Sequence, residues 1–144
     1  MMEVSGHAVV PAPLDKVWEL VCDTSRYAEW VDGTDEVTRT DGPAREGSTY
    51  EERNTILGPW KARTKWRVTE FAQGRRQVHE SEDVPLVKRF FVVMELEPEG
   101  DASLFTLTLR ADGAGLFGKL MRPGVERDNR KTVEQFAELA RREL

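Results

Sequence analysis

The sequence predicts an α+β domain in which a curved seven-stranded antiparallel sheet wraps around a long C-terminal helix, with two short helices between strands 1 and 2. Three observations carry this reading. Two short helical patterns lie back to back between Pro11 and Trp30, after a single strand-like segment. Six further strand-like segments follow, separated only by short turn signals. Links that short join antiparallel neighbours, because a parallel crossover needs about a dozen residues or more. Finally, one amphipathic stripe closes the chain.

Taken in order, Val4 to Val10 is β-prone and is ended by Pro11-Ala12-Pro13. Pro13 suits a first helical turn, where its missing N–H costs nothing. Leu14, Val17, Trp18 and Val21 then repeat at helical spacing. Asp23 is a good N-cap for the second short helix, which carries Tyr27 and Trp30 on one side and ends at Asp32-Gly33. The strands read as 34–40, 47–56, 60–70, 75–83, 87–97 and 102–111. Their breaks are Asp41-Gly42-Pro43, Gly58-Pro59, Gln73-Gly74, Val84-Pro85-Leu86 and Pro98-Glu99-Gly100-Asp101.

The segment around 60–68 alternates most clearly. Trp60, Ala62, Thr64, Trp66 and Val68 fall on one face, and Lys61, Arg63, Lys65 and Arg67 on the other. The basic row reads as a solvated outer face paired with Glu51, Glu70, Glu80 or Glu82, in preference to an anion-binding patch. Strand 87–97 turns Phe90, Val92, Met94 and Leu96 one way and Phe91 and Val93 the other. In the last helix, expected from Met121 or Pro123 with a preceding turn at 116–120, Val133, Phe136, Ala137, Ala140 and Leu144 form the stripe. Carried back by whole turns, that stripe reaches Asn129 and Val125.

A chain of 144 residues is expected to form one domain, 1–144, with a substantial core. Its net charge of −5 argues against a broad nucleic-acid footprint or an anionic membrane surface. Cys22 is the only cysteine, so no intrachain disulfide forms. MMEVSGHAVV has no basic start followed by an apolar run, and no stretch is apolar enough to span a membrane. A cytoplasmic protein, monomeric or homodimeric, is expected.

A helix of about 20 residues is a rod about 30 Å long and about 10–12 Å across. Six strands spaced about 4.8 Å apart make a sheet wider than about 20 Å. One helix cannot cover that width, so the sheet must curl around it and the short helices must plug an end. The uncovered interior is a natural ligand site.

The order β-αα-β6-α, with Ala12-Pro13, Val17-Trp18, Asp23, Tyr27 and Trp30 in the helical pair, resembles the START-like helix-grip superfamily. The closer likeness is to the branch named for polyketide cyclases/dehydrases and lipid transport, often labelled SRPBCC. Gly47 opening a strand, Val68-Thr69-Glu70 ending one and Leu96-Glu97-Pro98 before a turn add to the match. The resemblance covers essentially the whole chain and implies a cavity that holds a small hydrophobic molecule. Members include lipid carriers, hormone and polyketide binders, aromatase/cyclases and co-chaperone-like domains. No single catalytic motif defines the group, so it transfers no catalytic residue.

The candidate ligand-binding residues are Tyr50, Glu52, Asn54, Trp66, His79, Phe90, Met94, Phe117, Met121, Val125 and Asn129. For the aromatic members and Met94, ordinary core packing is the competing reading and is preferred for most. Trp18 and Trp30 read as anchors of helices too short to stand alone. Asn129 falls on an apolar stripe, where a buried amide needs partners supplied by a ligand, a water or the sheet. His79, Ser81 and Asp83 share one strand face, yet the serine sits between the other two, so they are no triad. Only Val78 orients that strand, and solvent exposure of His79 is preferred over a general base in the pocket.

Gly113 to Gly118 matches G-x-G-x-x-G, but no parallel strand follows the helix, which removes the dinucleotide-binding context. Two histidines and one cysteine make no metal cluster, and no cofactor is expected. Three functions stay open at this point. One is binding of a small hydrophobic molecule. Another is a polyketide cyclase/dehydratase-type enzyme using polar pocket residues. The third is a protein-interaction domain without ligand, for which Phe91 and Val93 are the place to look.

Overall fold

The computed structural model describes residues 1–144. Strand β1 (Met2–Val10) leads to helix α1 (Leu14–Cys22) and a 3₁₀ segment (Thr24–Glu29). Six strands follow: β2 (Thr34–Thr40), β3 (Thr49–Leu57), β4 (Trp60–Ala72), β5 (Arg76–Ser81), β6 (Arg89–Glu99) and β7 (Ala102–Asp112). Helix α2 (Leu116–Glu143) ends the chain. The strands form one sheet in the order β1-β7-β6-β5-β4-β3-β2, antiparallel throughout. This is the α+β helix-grip arrangement that the sequence implied. No helix is long and apolar enough to cross a membrane.

Several details differ from expectation. Pro13 is the N-cap of α1 rather than its first residue, and its carbonyl accepts from Lys16 and Val17 N–H groups. Asp23 makes no side-chain cap and instead accepts from Ser25 Oγ. Helix α2 begins at Leu116, so Pro123 lies inside it. Leu144 is exposed, because the stripe has run past the sheet by then. Phe91 and Val93 are half-buried, and the Arg110 guanidinium sits over the Phe91 ring at 4.0 Å. The basic row of β4 faces solvent as expected, but its one ion pair joins Lys61 to Asp35 at 3.2 Å, while Glu51, Glu70 and Glu80 pair with Arg39, Arg76 and Arg89 instead.

The largest difference is the sidedness of β5. Near the hairpin, Ala72 pairs with Arg76, Phe71 with Gln77 and Glu70 with Val78. Val68 then pairs with His79, because a bulge at Thr69 inserts one extra residue. Were Thr69 itself paired in a regular ladder, Val68 would face Glu80, and Val78 would lead the inner row. With the bulge, Gln77, His79 and Ser81 point inward and are all buried. His79 lies between Val68 on β4 and Val92 on β6 and is fully buried, contrary to the exposure preferred from the sequence.

Aromatic rings interlock where Trp30, just after the 3₁₀ segment, meets α2. The Trp30 ring meets Phe136 edge-on at 4.7 Å, and Phe136 lies 4.5 Å from Phe105 of β7. Val133, Ala137 and Ala140 continue this contact along the C-terminal half of α2. Trp18 holds α1 against Phe71 at 5.5 Å. In the N-terminal half of α2 only Gly118 is buried before Asn129.

Asn129 marks the change. Its Nδ2 donates to the Leu107 carbonyl at 3.0 Å, the bond to the sheet that was one of its expected partners. Its Oδ1 lies against Gly6 of β1 and leaves no room there for an added Cβ. Gly6 therefore has no side chain because α2 crosses β1 at that point. Gly6→Ala is expected to lower stability by about 1–3 kcal/mol, read as a drop in thermal midpoint. In Asn129→Ala the same substitution should cost little, since the clashing atom is gone. A double-mutant cycle measures this coupling.

Candidate functional site

The inner face of β3 presents Tyr50, Glu52 and Asn54 at alternate positions. Across the ladder, Trp66 faces Tyr50 and Thr64 faces Glu52. β6 adds Phe90 and Met94, and α2 adds Phe117, Met121 and Val125. Together these residues line a cavity of about 490 Å³ between the sheet and the N-terminal half of α2. The rest of its wall is mainly apolar and includes Val92, Leu107 and Leu109. His79 and Asn129 stand outside this lining.

His79 sits directly behind the wall. Tyr50 Oη donates to its Nδ1 at 2.6 Å, and its Nε2 donates to Gln77 Oε1 at 2.7 Å, which assigns a neutral ring protonated at Nε2. Gln77 Nε2 in turn donates to Cys22 Sγ at 3.4 Å. Burial holds the His79 pKa down at about 3. Burial also raises Tyr50 and Cys22, so every member of the chain is neutral at ordinary pH. Both imidazole nitrogens are occupied, so His79 fixes the Tyr50 ring and offers no free lone pair to the cavity.

Glu52 is the contrasting group. It is 4% exposed and has no basic partner among the ion pairs. Its Oε1 accepts from Asn54 Nδ2 at 3.1 Å and from Thr34 Oγ1 at 3.3 Å. Asn54 Oδ1 accepts from Thr64 Oγ1 at 2.6 Å, and Trp66 Nε1 donates to the same hydroxyl at 2.8 Å. The row from Trp66 to Glu52 therefore runs along the cavity floor and ends on a carboxyl. Loss of water raises its pKa to about 7, although Asn54, Thr34 and Trp66 each stabilise the anion.

The sequence reading missed part of this. Thr34, Thr64 and Gln77 complete the polar rows but are absent from the candidates. For Thr64 a signal existed, since it shares the alternating face of Trp66. Asp32 and Asp128 also line the cavity on the α2 side. Burial, then contact with Asp32, raises the pKa of Asp128. Lys131 lies 3.4 Å from Asp32. No three His, Cys, Asp or Glu side chains converge as a metal site would require.

The Glu52 shift has a stability consequence. Its folded pKa lies above the ordinary value of 4.5, so the folded protein holds the proton more tightly. The resulting stabilisation is complete below pH 4.5 and is lost as pH rises through about 7. Glu52→Gln should therefore be more stable than the parent at pH 8, by up to about 3 kcal/mol, with the gain vanishing near pH 4.5. Denaturant unfolding of both proteins across this range checks it.

A family model described as "Polyketide cyclase / dehydrase and lipid transport" matches residues 1–141. No curated protein matches the chain in sequence. Among solved structures, TTHA0849 from Thermus thermophilus is similar at 21% identity and TM-score 0.74, covering 97% of each chain. The Zhui aromatase/cyclase from Streptomyces sp. R1128 is similar at 17% identity and TM-score 0.76, covering 97% of this chain and 93% of that one. The di-domain ARO/CYC StfQ from the steffimycin biosynthetic pathway is similar at 10% identity and TM-score 0.78, covering 98% of this chain and 51% of that one. At these identities the structural likeness shows the fold alone. With the family model spanning nearly its whole length, this chain belongs to the polyketide cyclase/dehydrase and lipid transport family.

Proposed function

We propose that the chain binds a small hydrophobic molecule, lipid- or polyketide-like, in the cavity between the sheet and α2. The observation that supports this best is an aromatic-walled volume of about 490 Å³ holding one buried carboxyl without a cation. Small-molecule sites commonly enclose about 300–1,000 Å³, with apolar walls and a few orienting polar groups. Tyr50, Trp66 and Phe90 would supply flat faces. Met94, Phe117, Met121 and Val125 would supply adaptable apolar contact. Glu52 and Asn54 would orient a hydroxyl or carbonyl of the ligand. His79 would act through Tyr50, and Asn129 by holding α2 at its distance.

Native mass spectrometry of the purified protein, and titration with a neutral solvatochromic probe, test this reading. Val125→Trp should fill the volume and weaken probe binding about tenfold or more, equivalent to about 1.4 kcal/mol. Absence of any bound molecule or probe across a broad screen would end it.

The Glu52 pKa of about 7 favours one further reading, a cyclase/dehydratase-type enzyme. Near neutral pH such a carboxyl is divided between acid and base forms and can take a proton from an activated carbon or return it to a leaving hydroxyl. With a polyketide-like substrate, turnover limited by the base form should rise to a plateau above about pH 7. It should be lost in Glu52→Gln while probe binding persists. Unchanged turnover in that variant would remove Glu52 from the chemistry.

A further inference from the structure

The apolar surface of this protein is unevenly distributed. Nine large hydrophobic side chains are exposed, and two of them, Met1 and Leu144, are chain ends. Six of the rest, Leu57, Trp60, Leu86, Leu116, Phe117 and Leu120, lie on three tips around one opening. Five of these six line the cavity, so the tips form its rim. The tips are the β3–β4 hairpin, the β5–β6 loop and the first turns of α2. Leu86 holds a backbone φ of 72°, the left-handed region that normally takes glycine or asparagine. A leucine there combines backbone strain with exposure, and neither serves the core.

Charge on the rim departs from that of the chain. Segments 57–61, 82–89 and 116–122 hold two acids, Glu82 and Asp83, against five basic residues, Lys61, Lys88, Arg89, Lys119 and Arg122, in a protein of net charge −5. All five are exposed. Three have a carboxylate in reach: Lys61 with Asp35, Arg89 with Glu80 and Arg122 with Glu126. Lys88 and Lys119 take part in no ion pair. Apart from the buried Glu52, the acids that line the cavity, Asp32 and Asp128, lie beside the middle of α2 with Lys131.

From this combination we propose that the rim is a docking surface for a lipid bilayer with anionic headgroups, and that the cavity opens toward the acyl chains. The proposal rests on the cavity binding a hydrophobic molecule, and it names where that molecule is collected or delivered. Separate projecting tips suit a penetrable medium, whereas a rigid partner would need a matching socket for each. Trp60 is suited to the interface, with an apolar ring and an N–H for the headgroup layer. Lysines just outside the apolar tips draw the protein to anionic lipid. A second copy is disfavoured, since it would set one basic rim against another. An apolar cargo could then pass between bilayer and cavity without crossing water.

The test is co-sedimentation of the full chain with vesicles of phosphatidylcholine, alone or mixed with phosphatidylglycerol. Binding to the mixed vesicles is expected, with little to phosphatidylcholine alone. Brominated acyl chains should quench the tryptophan emission, and Trp60→Phe should remove most of that quenching, because Trp18, Trp30 and Trp66 are buried. Lys88→Glu/Lys119→Glu and Leu57→Ser/Leu120→Ser should each reduce binding by about tenfold or more. All four altered positions are exposed, and circular dichroism verifies folding; each pair is an independent test. Failure of folded protein to bind mixed vesicles overturns the proposal. So does binding that leaves Trp60 unquenched, or that survives loss of the two leucines. Retention on a small acidic protein without vesicle binding would assign the rim to a protein partner and overturn the bilayer reading. Vesicle binding is read without any ligand, so its outcome is separate from that of probe uptake.

Discussion

Everything of functional interest depends on how unevenly α2 meets the sheet. Its C-terminal half carries Val133, Phe136, Ala137 and Ala140, which close against the Trp30 and Phe105 rings. Small side chains and interlocked aromatics bring helix and sheet together there. The N-terminal half buries only Gly118, close to Met2 of β1, and one helix is too narrow for seven strands. Asn129 against Gly6 marks the end of the packed stretch. Beyond it the helix stays beside β1 and leaves the inner strands uncovered, and the space over them is the cavity. The apolar residues of that half, including Phe117 and Met121, therefore face a void rather than a core.

The two buried groups near the cavity wall show what this separation does to chemistry. His79 and Glu52 are nearly or wholly buried, and loss of water pushes each toward its neutral form. His79 finds a donor and an acceptor, one on each nitrogen, and becomes a structural strut. Glu52 receives two hydrogen bonds on one oxygen and no balancing cation. An incompletely satisfied carboxyl beside an apolar volume stays sensitive to whatever enters. In the proposed reading, binding or chemistry would therefore centre on Glu52, although a histidine is the more familiar proton carrier.

Sequence pattern exposed the architecture because each element carried its own period. Alternation along β4 and β6 survives in the structure, as does the stripe on α2 from Val133 to Ala140. The same alternation placed Tyr50, Glu52 and Asn54 together on β3, since alternate residues share a face. Features that depend on two strands at once were not legible. The bulge at Thr69 has no turn residue to announce it, yet it decides which side of β5 is inside. With Val78 as the only guide, His79 was assigned to the solvent and Gln77 was overlooked. Asp128 escaped for a similar reason: its significance comes from Asp32, nearly a hundred residues away.

That bulge also sets where the sheet can change in length. A regular ladder that kept every residue of β4 would act like a shift of reading frame in space, turning Gln77, His79 and Ser81 outward and carrying Arg76, Val78 and Glu80 in. The Tyr50 ring would lose its strut, and a charged pair would enter the core. Setting Thr69 aside absorbs that one residue. Its loss would leave Val68 opposite His79 and Glu70 opposite Val78 and would only straighten the strand. The bulge is thus a place where this hairpin can shed a residue without turning β5 over.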